Sequence, residues 1–277
     1  MSHALIIGCG DLGSAIAIRL IEFGLDVTGV RISNKPMPQN ICLLQADVTD
    51  IDTLGSLKFL TPNILIYCIA ATAQTDENYY AHYVLGLNNV LQVVNRSQLR
   101  HVFFVSSTRV YGQVSKELLD EDTFATPSDF GGRRLLEAEN ALKSFPFNST
   151  VLRLSGIYGP GRLRMINLVK NNDHWPSTNA YSNRIHRDDA AKFVAFLCKK
   201  VLNDELVDDV YIVTDSLPVS QYEVLNWIAE HLKLSTKSAP AISGGKLLSN
   251  HRLLSTGFLM EYPSYKQGYT ALIQTIT

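Results

Sequence analysis

Short apolar runs alternate with longer amphipathic stretches along most of the chain. The runs are rich in Val, Ile and Leu, which is typical of buried strands. We predict strands over residues 4–8, 26–30, 41–45, 64–69, 102–106, 150–154 and 210–213. Between them, apolar residues recur at helical spacing. We predict helices over residues 12–23, 78–94, 133–145, 188–201 and 221–232. This alternation predicts an α/β fold with a parallel sheet covered on both faces.

The composition narrows the classes of function. Hydrophobic residues make up 46% of the chain and charged residues only 18%, below the roughly 25% of soluble domains, which favours a large buried core. The formal net charge is −1 and like charges form no block, so we predict neither a nucleic-acid partner nor a membrane partner. No apolar stretch is long enough to span a bilayer. The N-terminus shows no signal-peptide pattern, and we expect a cytoplasmic protein.

The cysteines add no metal or disulfide chemistry to this picture. They are Cys9, Cys42, Cys68 and Cys198, and no two of them form a C-x-x-C pair. Because most of them lie inside apolar runs, we interpret them as reduced thiols and predict no metal site.

A glycine-rich turn follows the first predicted strand. Residues 8–13 read Gly-Cys-Gly-Asp-Leu-Gly, a G-x-G-x-x-G pattern placed between a strand and a helix. Gly8 permits the tight turn, Gly10 lets the backbone approach a pyrophosphate, and Gly13 lets the helix pack on the strand. The N–H groups that open the helix then face the phosphates. The candidate cofactor residues here are Gly8, Gly10, Asp11, Leu12 and Gly13. The alternative is a glycine-rich turn without a ligand.

The end of the second predicted strand distinguishes between cofactors. NAD-binding sites usually carry an acidic residue there, which binds the ribose 2′-hydroxyl. This chain has Arg31 instead, with Lys35 close behind. A guanidinium pairs well with a 2′-phosphate, so we predict NADP(H), with NAD and an ordinary solvated arginine as the alternatives. Asp47 follows the third strand and is a candidate for contact with adenine or for capping the next helix.

Two regions interrupt the alternation of strands and helices. The first contains Pro160, Gly161 and Pro176, and the second follows Pro218. We predict one domain over residues 1–277, in which a Rossmann-type doubly wound parallel sheet binds the dinucleotide and a small C-terminal lobe binds substrate. The predicted core covers about 1–155 and 184–215, and the predicted substrate lobe covers about 156–183 and 216–277.

Four further motifs follow the predicted strands in order. They are Tyr-Cys-Ile-Ala-Ala at 67–71, Val-Ser-Ser-Thr-Arg-Val-Tyr-Gly at 105–112, Arg-Leu-Ser-Gly-Ile-Tyr-Gly-Pro-Gly at 153–161 and His-Arg-Asp-Asp at 186–189. Together with the glycine-rich turn, they make most of the chain resemble the extended short-chain dehydrogenases/reductases, the NAD(P)-dependent epimerase/dehydratase family. The resemblance places Ser107 on the catalytic Ser/Thr of that family and Ala70 in its cofactor site. The alternative for Ser107 is a hydrogen bond to backbone within its own turn.

The stretch that matches the family's Tyr-x-x-x-Lys pair departs from it. Phe130 replaces the tyrosine and Arg134 replaces the lysine. A phenyl ring cannot transfer a proton, whereas arginine keeps the positive charge that holds the nicotinamide ribose. The chain therefore resembles the atypical extended members, which lack the standard catalytic set.

Tyr83 stands where the family pattern has a supporting Asn. We take Tyr83 as the candidate proton donor, with a water molecule as the alternative donor. A close Arg134 charge would lower the pKa of Tyr83. The alternative is that Tyr79, Tyr80 and Tyr83 are core or subunit-interface aromatics.

Two classes of function remain open. The first is an NADP(H)-dependent oxidoreductase or epimerase that acts on a hydroxyl-bearing, sugar-like small molecule, with Ser107 orienting the substrate. The second is a non-catalytic NADP(H)-binding protein that serves as a redox sensor or scaffold. Loss of the Tyr-x-x-x-Lys pair favours the second class.

The resemblance also implies a homodimer. Extended family members often pair through the two helices that we predict here over 78–94 and 133–145. The apolar residues expected on these faces include Leu87, Val90, Leu136 and Leu142.

Overall fold

A computed structural model describes residues 2–276 of the chain. The strands are β1 His3–Ile7, β2 Asp26–Arg31, β3 Ile41–Gln45, β4 Ile64–Tyr67, β5 His101–Ser107, β6 Leu118–Leu119, β7 Ser149–Leu154, β8 Gly156–Tyr158, β9 Tyr181–Ser182, β10 Arg184–His186, β11 Val210–Val213, β12 Val219–Ser220 and β13 Leu247–Leu248. The α-helices are α1 Asp11–Glu22, α2 Asp76–Tyr79, α3 Gly86–Val93, α4 Phe130–Lys143, α5 Arg164–Lys170, α6 Arg187–Leu202, α7 Gln221–His231, α8 His251–Ser255 and α9 Tyr265–Ile276. Within residues 2–276, no helix has the length and apolar content that a membrane span requires.

A 7-stranded sheet forms the centre of the fold, in the order β11-β7-β5-β4-β1-β2-β3. β1 pairs in parallel with β2 on one side and with β4 on the other, and β5 pairs in parallel with β4. The chain therefore crosses from β3 to the opposite side of β1, which makes a switch point between β1 and β4. Ligands of open parallel sheets bind in the crevice at such a point, beside the carboxyl ends of the strands. The predicted Rossmann-type α/β fold is confirmed.

The central strands lack a polar face because both of their faces are covered. All four residues of β4 are buried, and so are the last four of β1. Continuous burial of this kind is typical of parallel sheets between layers of helices, and it explains why these strands appear in the sequence as unbroken apolar runs.

The helix predicted over 78–94 is interrupted by a π-helix over Tyr80–Leu85, with α2 before it and α3 after it. The hydroxyl of Tyr67, a fully buried residue of β4, donates a hydrogen bond to the carbonyl of His82. This side-chain contact competes for a carbonyl that would otherwise accept within the helix, and such insertions widen a helix locally. The prediction of one continuous helix was wrong because it considered only local spacing.

The chain divides into two compact units. The first contains the residues up to Gly112, Ala125–Arg153 and Ala191–Tyr211. The second contains Gln113–Phe124, Leu154–Ala190 and the residues from Ile212 onward. The assignment of a dinucleotide-binding core and a substrate lobe to particular residues stays a prediction.

The second unit has an apolar core of its own. Buried aromatic and aliphatic side chains from α5, α7 and α9 meet there, among them Ile166, Leu225 and Tyr269. Short strand pairs, β8 with β10, β9 with β12 and β6 with β13, complete this unit. The carboxylate of Asp189 accepts hydrogen bonds from the N–H groups of Glu261 and Tyr262, at 2.9 and 2.8 Å. It thereby fixes the segment that precedes α9.

The apolar residues expected at a dimer interface lie mostly inside the first unit. Leu87, Val90 and Leu142 are fully buried in the chain's own core, so they cannot pair with a second copy. Leu136 is partly exposed. The homodimer itself stays a prediction.

A buried ion pair fixes α4 to the sheet in the first unit. The Arg153 guanidinium of β7 donates to the Glu139 carboxylate of α4, with a closest N···O distance of 2.6 Å. The Ser106 hydroxyl donates to the same carboxylate at 2.6 Å, and Arg153 also donates to the Tyr111 hydroxyl at 2.6 Å. Both charged side chains are almost completely buried, at 7% and 2% exposure. A buried pair with this many hydrogen bonds tolerates the loss of neither partner.

We expect Glu139→Ala to lower the free energy of unfolding by about 3–5 kcal/mol, because it leaves the Arg153 charge buried without a counter-charge. Urea unfolding followed by circular dichroism measures the change. The matched control is Glu22→Ala, which breaks the exposed Arg19–Glu22 pair and should cost at most about 1 kcal/mol. Equal losses in the two variants would contradict a structural role for the buried pair.

Candidate dinucleotide and substrate site

The glycine-rich turn has the conformation that its sequence requires. Gly8 adopts φ +91°, and a Cβ added there would lie 2.5 Å from the carbonyl oxygen of Cys68. A Cβ added at Gly13 would lie 2.5 Å from the carbonyl oxygen of Gly8. Only glycine fits these two positions without displacing backbone. By contrast, no atom lies within 4 Å of a Cβ added at Gly10, so this position faces open space.

The start of α1 lacks a side-chain cap. Gly10 occupies the capping position and has no side chain with which to cap the first turn. The N–H groups that open a helix have no acceptor within it, and the positive end of the helix dipole lies there. Asp11 is exposed in this first turn, whereas the Leu12 side chain packs into the core. Open space beside Gly10 and a helix end without a cap together fit a pyrophosphate.

Arg31 ends β2 with its side chain bound to the loop that follows. Its Nε donates to the carbonyl of Ser33 at 3.0 Å, and its Nη2 donates to the carbonyl of Pro36 at 3.3 Å. These bonds steady the guanidinium and leave some of its five N–H donors for a ligand.

After the end of β3, the carboxylate of Asp47 accepts hydrogen bonds from the N–H and the hydroxyl of Thr49, at 2.9 and 2.7 Å. Asp47 therefore does not cap the next helix, since Asp50 does so.

Ser107 and Ala70 lie at the carboxyl ends of neighbouring strands. Ser107 is the last residue of β5, and its Oγ accepts a hydrogen bond from the Arg109 N–H at 3.2 Å. The backbone role considered from the sequence is therefore present, and the hydroxyl hydrogen remains available to a ligand. Ala70 is exposed in the loop that follows β4. Both residues therefore lie at the carboxyl edge of the sheet, Ala70 after the strand that borders the switch point and Ser107 one strand further away.

Tyr83 reaches the same loop from the π-helix. The Ala71 N–H donates to the Tyr83 hydroxyl over 3.4 Å. The ring of Tyr83 lies 5.3 Å from the ring of Tyr79, which in turn meets the edge of Phe130 at 5.3 Å. Burial raises the pKa of Tyr83 to about 12. The expectation of a lowered pKa is therefore wrong. The phenol carries its proton at neutral pH, and it is a weaker acid than an exposed tyrosine.

Arg134 is engaged by carboxylates. Its Nε and Nη2 donate to the two oxygens of Asp76, at 2.8 and 2.7 Å, and its Nη1 donates to Glu137 at 2.8 Å. The guanidinium also lies over the ring of Tyr80, 5.1 Å from its centre. The hydrogen bonds from Arg134 lower the pKa of Asp76, so this carboxyl group stays ionised. The charge of Arg134 is thus balanced within the first unit, and its contact with a ribose stays a prediction.

Sequence reasoning missed the residue at the centre of this cluster, Arg109. Its Nε donates to both oxygens of Asp129, at 3.0 and 2.9 Å, and its Nη1 donates to the Tyr79 hydroxyl at 2.7 Å and to Gln74 at 3.1 Å. The guanidinium lies over the ring of Phe130 at 5.2 Å. Asp129 also caps α4 by accepting from the N–H of Gly132. The Gly-Gly pair that opens α4 was the sequence signal, because it indicates a close approach by another group.

The first unit therefore provides the parts of a dinucleotide-binding protein of the Rossmann class. A profile of the NAD dependent epimerase/dehydratase family matches residues 4–212. The chain belongs to this family. A search of curated proteins found no match.

Solved structures extend the likeness to nearly the full chain. A protein from Methylobacillus flagellatus, provisionally described as an NAD-dependent epimerase/dehydratase, is 47% identical, with a TM-score of 0.92 over 99% of this chain and 98% of its own. The UDP-glucose 4-epimerase of Thermus thermophilus, solved with NAD, is 19% identical, with a TM-score of 0.78 over 96% of each chain. The UDP-glucose 4-epimerase of Thermotoga maritima, solved with UDP-glucose, is 15% identical, with a TM-score of 0.80 over 99% of this chain and 100% of its own. The last two likenesses establish the fold alone.

We expect Gly10→Val to abolish dinucleotide binding and to leave the fold intact. A Cβ added at Gly10 meets no protein atom within 4 Å, so the new side chain enters the open space that a pyrophosphate would occupy. Calorimetric titration with NADPH measures binding. Gly55→Val is the matched control, since a Cβ at Gly55 also meets nothing within 4 Å and lies away from the turn. Normal NADPH affinity in the Gly10→Val protein would place the cofactor elsewhere.

Proposed function

We propose that the first unit binds NADP(H) and that the protein is an NADP(H)-dependent oxidoreductase or epimerase for a hydroxyl-bearing, sugar-like small molecule. The observation that carries this proposal is the uncapped glycine turn at the start of α1, with Arg31 at the end of the neighbouring strand. The turn suits a pyrophosphate, and a guanidinium at the end of β2 suits a 2′-phosphate.

The choice of NADP over NAD depends on Arg31. Its guanidinium cannot accept a hydrogen bond from a ribose 2′-hydroxyl, but it can donate two to a phosphate. The carbonyls of Ser33 and Pro36 hold it at the end of β2, which reduces the entropy lost on binding. NAD, which the Thermus thermophilus structure contains, is the alternative cofactor.

The chemistry that we propose uses the chain's own groups in an unusual arrangement. When bound, the nicotinamide supplies a hydride or accepts one. Ser107 orients the substrate hydroxyl from the end of β5, and Tyr83 donates the proton that Phe130 cannot supply. The aromatic contacts from Tyr83 through Tyr79 to Phe130 support this assignment, since they bring Tyr83 into the same cluster as the position of the missing phenol.

A second candidate is a non-catalytic NADP(H)-binding sensor or scaffold. The ion pairs of Arg134 with Asp76 and Glu137 favour it, because a guanidinium held by two carboxylates is poorly placed to serve as the ribose-binding cation of a catalytic pair.

A homodimer remains part of the proposal in either case. Its interface would have to use residues that are exposed in the single chain, such as Tyr80 and Leu85.

We expect NADPH to bind about ten-fold to a hundred-fold more tightly than NADH, because a charge-assisted pair between Arg31 and the 2′-phosphate contributes about 1.5–3 kcal/mol. Titration of cofactor fluorescence gives both affinities. Arg31→Ala should remove the preference, whereas Arg96→Ala, at an exposed site on the segment after α3, should preserve it. Equal affinities for the two cofactors in the unaltered protein would overturn the NADP assignment.

We expect UDP-glucose and similar nucleotide sugars to be turned over slowly or not at all, about 10²- to 10⁴-fold below a protein with the complete pair, because Phe130 supplies no general acid. The double variant Phe130→Tyr with Arg134→Lys should raise turnover, measured by following cofactor absorbance with each substrate.

Tyr83→Phe should abolish whatever turnover the native protein has. Turnover that survives Tyr83→Phe would remove Tyr83 from the mechanism. Turnover in neither the native protein nor the double variant, with NADPH still bound, would favour the sensor or scaffold.

A further inference from the structure

Arg109 differs from the other arginine of the cluster in how its donors are used. Its Nε is bound by Asp129, and its Nη1 is bound by Gln74 and Tyr79. Among residues 2–276, Nη2 has no hydrogen-bond partner, and the side chain is 31% exposed. Arg134, in contrast, uses Nε, Nη1 and Nη2 in its bonds to Asp76 and Glu137.

The backbone around Arg109 is shaped to receive its guanidinium. A Cβ added at Gly131 would lie 2.5 Å from Cζ of Arg109, and a Cβ added at Gly132 would lie 2.5 Å from the Arg109 carbonyl oxygen. The rings of Tyr79 and Phe130 lie 5.1 and 5.2 Å from Cζ, within the range of cation–π attraction. The guanidinium is therefore held by hydrogen bonds, ring faces and a glycine pair, and its one unbonded nitrogen has a defined position.

The local charge balance favours an anion at this nitrogen. Asp129 is the only carboxylate bonded to Arg109 among the described residues. Burial opposes the ionisation of Asp129, but the Gly132 N–H and the Arg109 guanidinium lower its pKa. Asp129 also lies at the N-terminus of the 14-residue helix α4, whose dipole balances part of its negative charge. The negative charge of Asp129 is therefore shared between Arg109 and the helix end, so Asp129 balances the charge of Arg109 only in part.

We propose that Nη2 of Arg109 binds a terminal oxyanion of the substrate, a carboxylate or phosphate oxygen, so that the site selects acidic hydroxyl compounds over neutral ones. This inference rests on the proposed function and names the class of its substrate. Arg109 lies two residues after Ser107, beside Phe130, where a substrate oriented by Ser107 would meet it. The contact uses one nitrogen because Nε and Nη1 are already engaged, and it suits a carboxylate and a phosphate alike.

Small hydroxyl compounds with and without an anionic group can test this selectivity. Lactate carries a hydroxyl and a carboxylate, glycerol 3-phosphate carries hydroxyls and a phosphate, and propane-1,2-diol carries hydroxyls alone. Each is titrated into the native protein in the presence of NADPH, at constant ionic strength. Nuclear magnetic resonance of the arginine Cζ and Nη atoms follows the response, with the Arg109 signal identified as the one lost in Arg109→Lys.

We expect the Arg109 signal to shift saturably with lactate, with glycerol 3-phosphate or with both, and to stay unmoved by the diol. The more tightly bound anion distinguishes a carboxylate from a phosphate substrate. The signal of exposed Arg96 should not move. An Arg109 signal that none of the three compounds moves, or that the diol moves as much as the anions do, would overturn the inference.

Gly131→Ala gives a test that keeps every charge. The new methyl group must displace the guanidinium, because it would lie 2.5 Å from Cζ. We expect anion affinity, measured by calorimetry, to fall at least about ten-fold in this variant and in Arg109→Lys. Unchanged affinity in Gly131→Ala would contradict a role for the exact position of the guanidinium.

The same samples separate this inference from the proposed function. NADPH affinity reports on the glycine turn and on Arg31, and it should be the same in the native protein and in both variants. Native protein that binds NADPH but shows no anion response overturns the role of Arg109 alone. A saturable anion response in protein that does not bind NADPH supports the role of Arg109 and overturns the cofactor proposal.

Discussion

The buried ion pair between Glu139 and Arg153 is the interaction on which the rest of the first unit depends. It joins the middle of α4 to β7, while Ser106 and Tyr111 tie the same two charges to β5 and to the turn after it. Charges buried to this degree are stable only in one geometry, because each displaced hydrogen bond leaves a charge without compensation. The axis of α4 is thereby fixed on the sheet, and so is the position of its first turn.

The candidate site is built on that first turn. Asp129 caps it, Phe130 opens it, and the glycine pair behind Phe130 leaves room for the guanidinium of Arg109. The turn also places Arg134 against Asp76, and this pair joins α4 to the segment that carries Tyr79 and Tyr83. The Arg109–Asp129 pair joins the cap of α4 to the turn after β5. Where the resemblance implies a phenol and an ammonium group, this chain has the apolar ring of Phe130, under the guanidinium of Arg109, and a guanidinium at Arg134 that carboxylates hold. Such an arrangement is suited to binding and orienting an oxygen anion, and any proton must come from another group.

The sequence was informative where structure follows local pattern. The apolar runs gave the strands of the central sheet, and the G-x-G-x-x-G spacing gave the turn at Gly8, whose φ is +91°. It was uninformative where a distant side chain decides. The π-helix depends on Tyr67 reaching the carbonyl of His82, and the Arg109 cluster joins segments that lie far apart in the chain. Helical spacing also cannot tell whether an apolar face covers the chain's own core or a second copy, which is why Leu87 and Val90 were misassigned.

A crystal structure of the protein with NADP bound tests the central claim most directly, since the claim concerns where the cofactor lies in the first unit. We expect the pyrophosphate to lie against the N–H groups that open α1, beside Gly10, and the 2′-phosphate to lie within hydrogen-bond distance of Arg31. We expect the nicotinamide at the carboxyl ends of β4 and β5, near Ala70 and Ser107. A dinucleotide bound away from the glycine turn, or a 2′-phosphate that makes no contact with Arg31, would show that the proposed cofactor site is wrong.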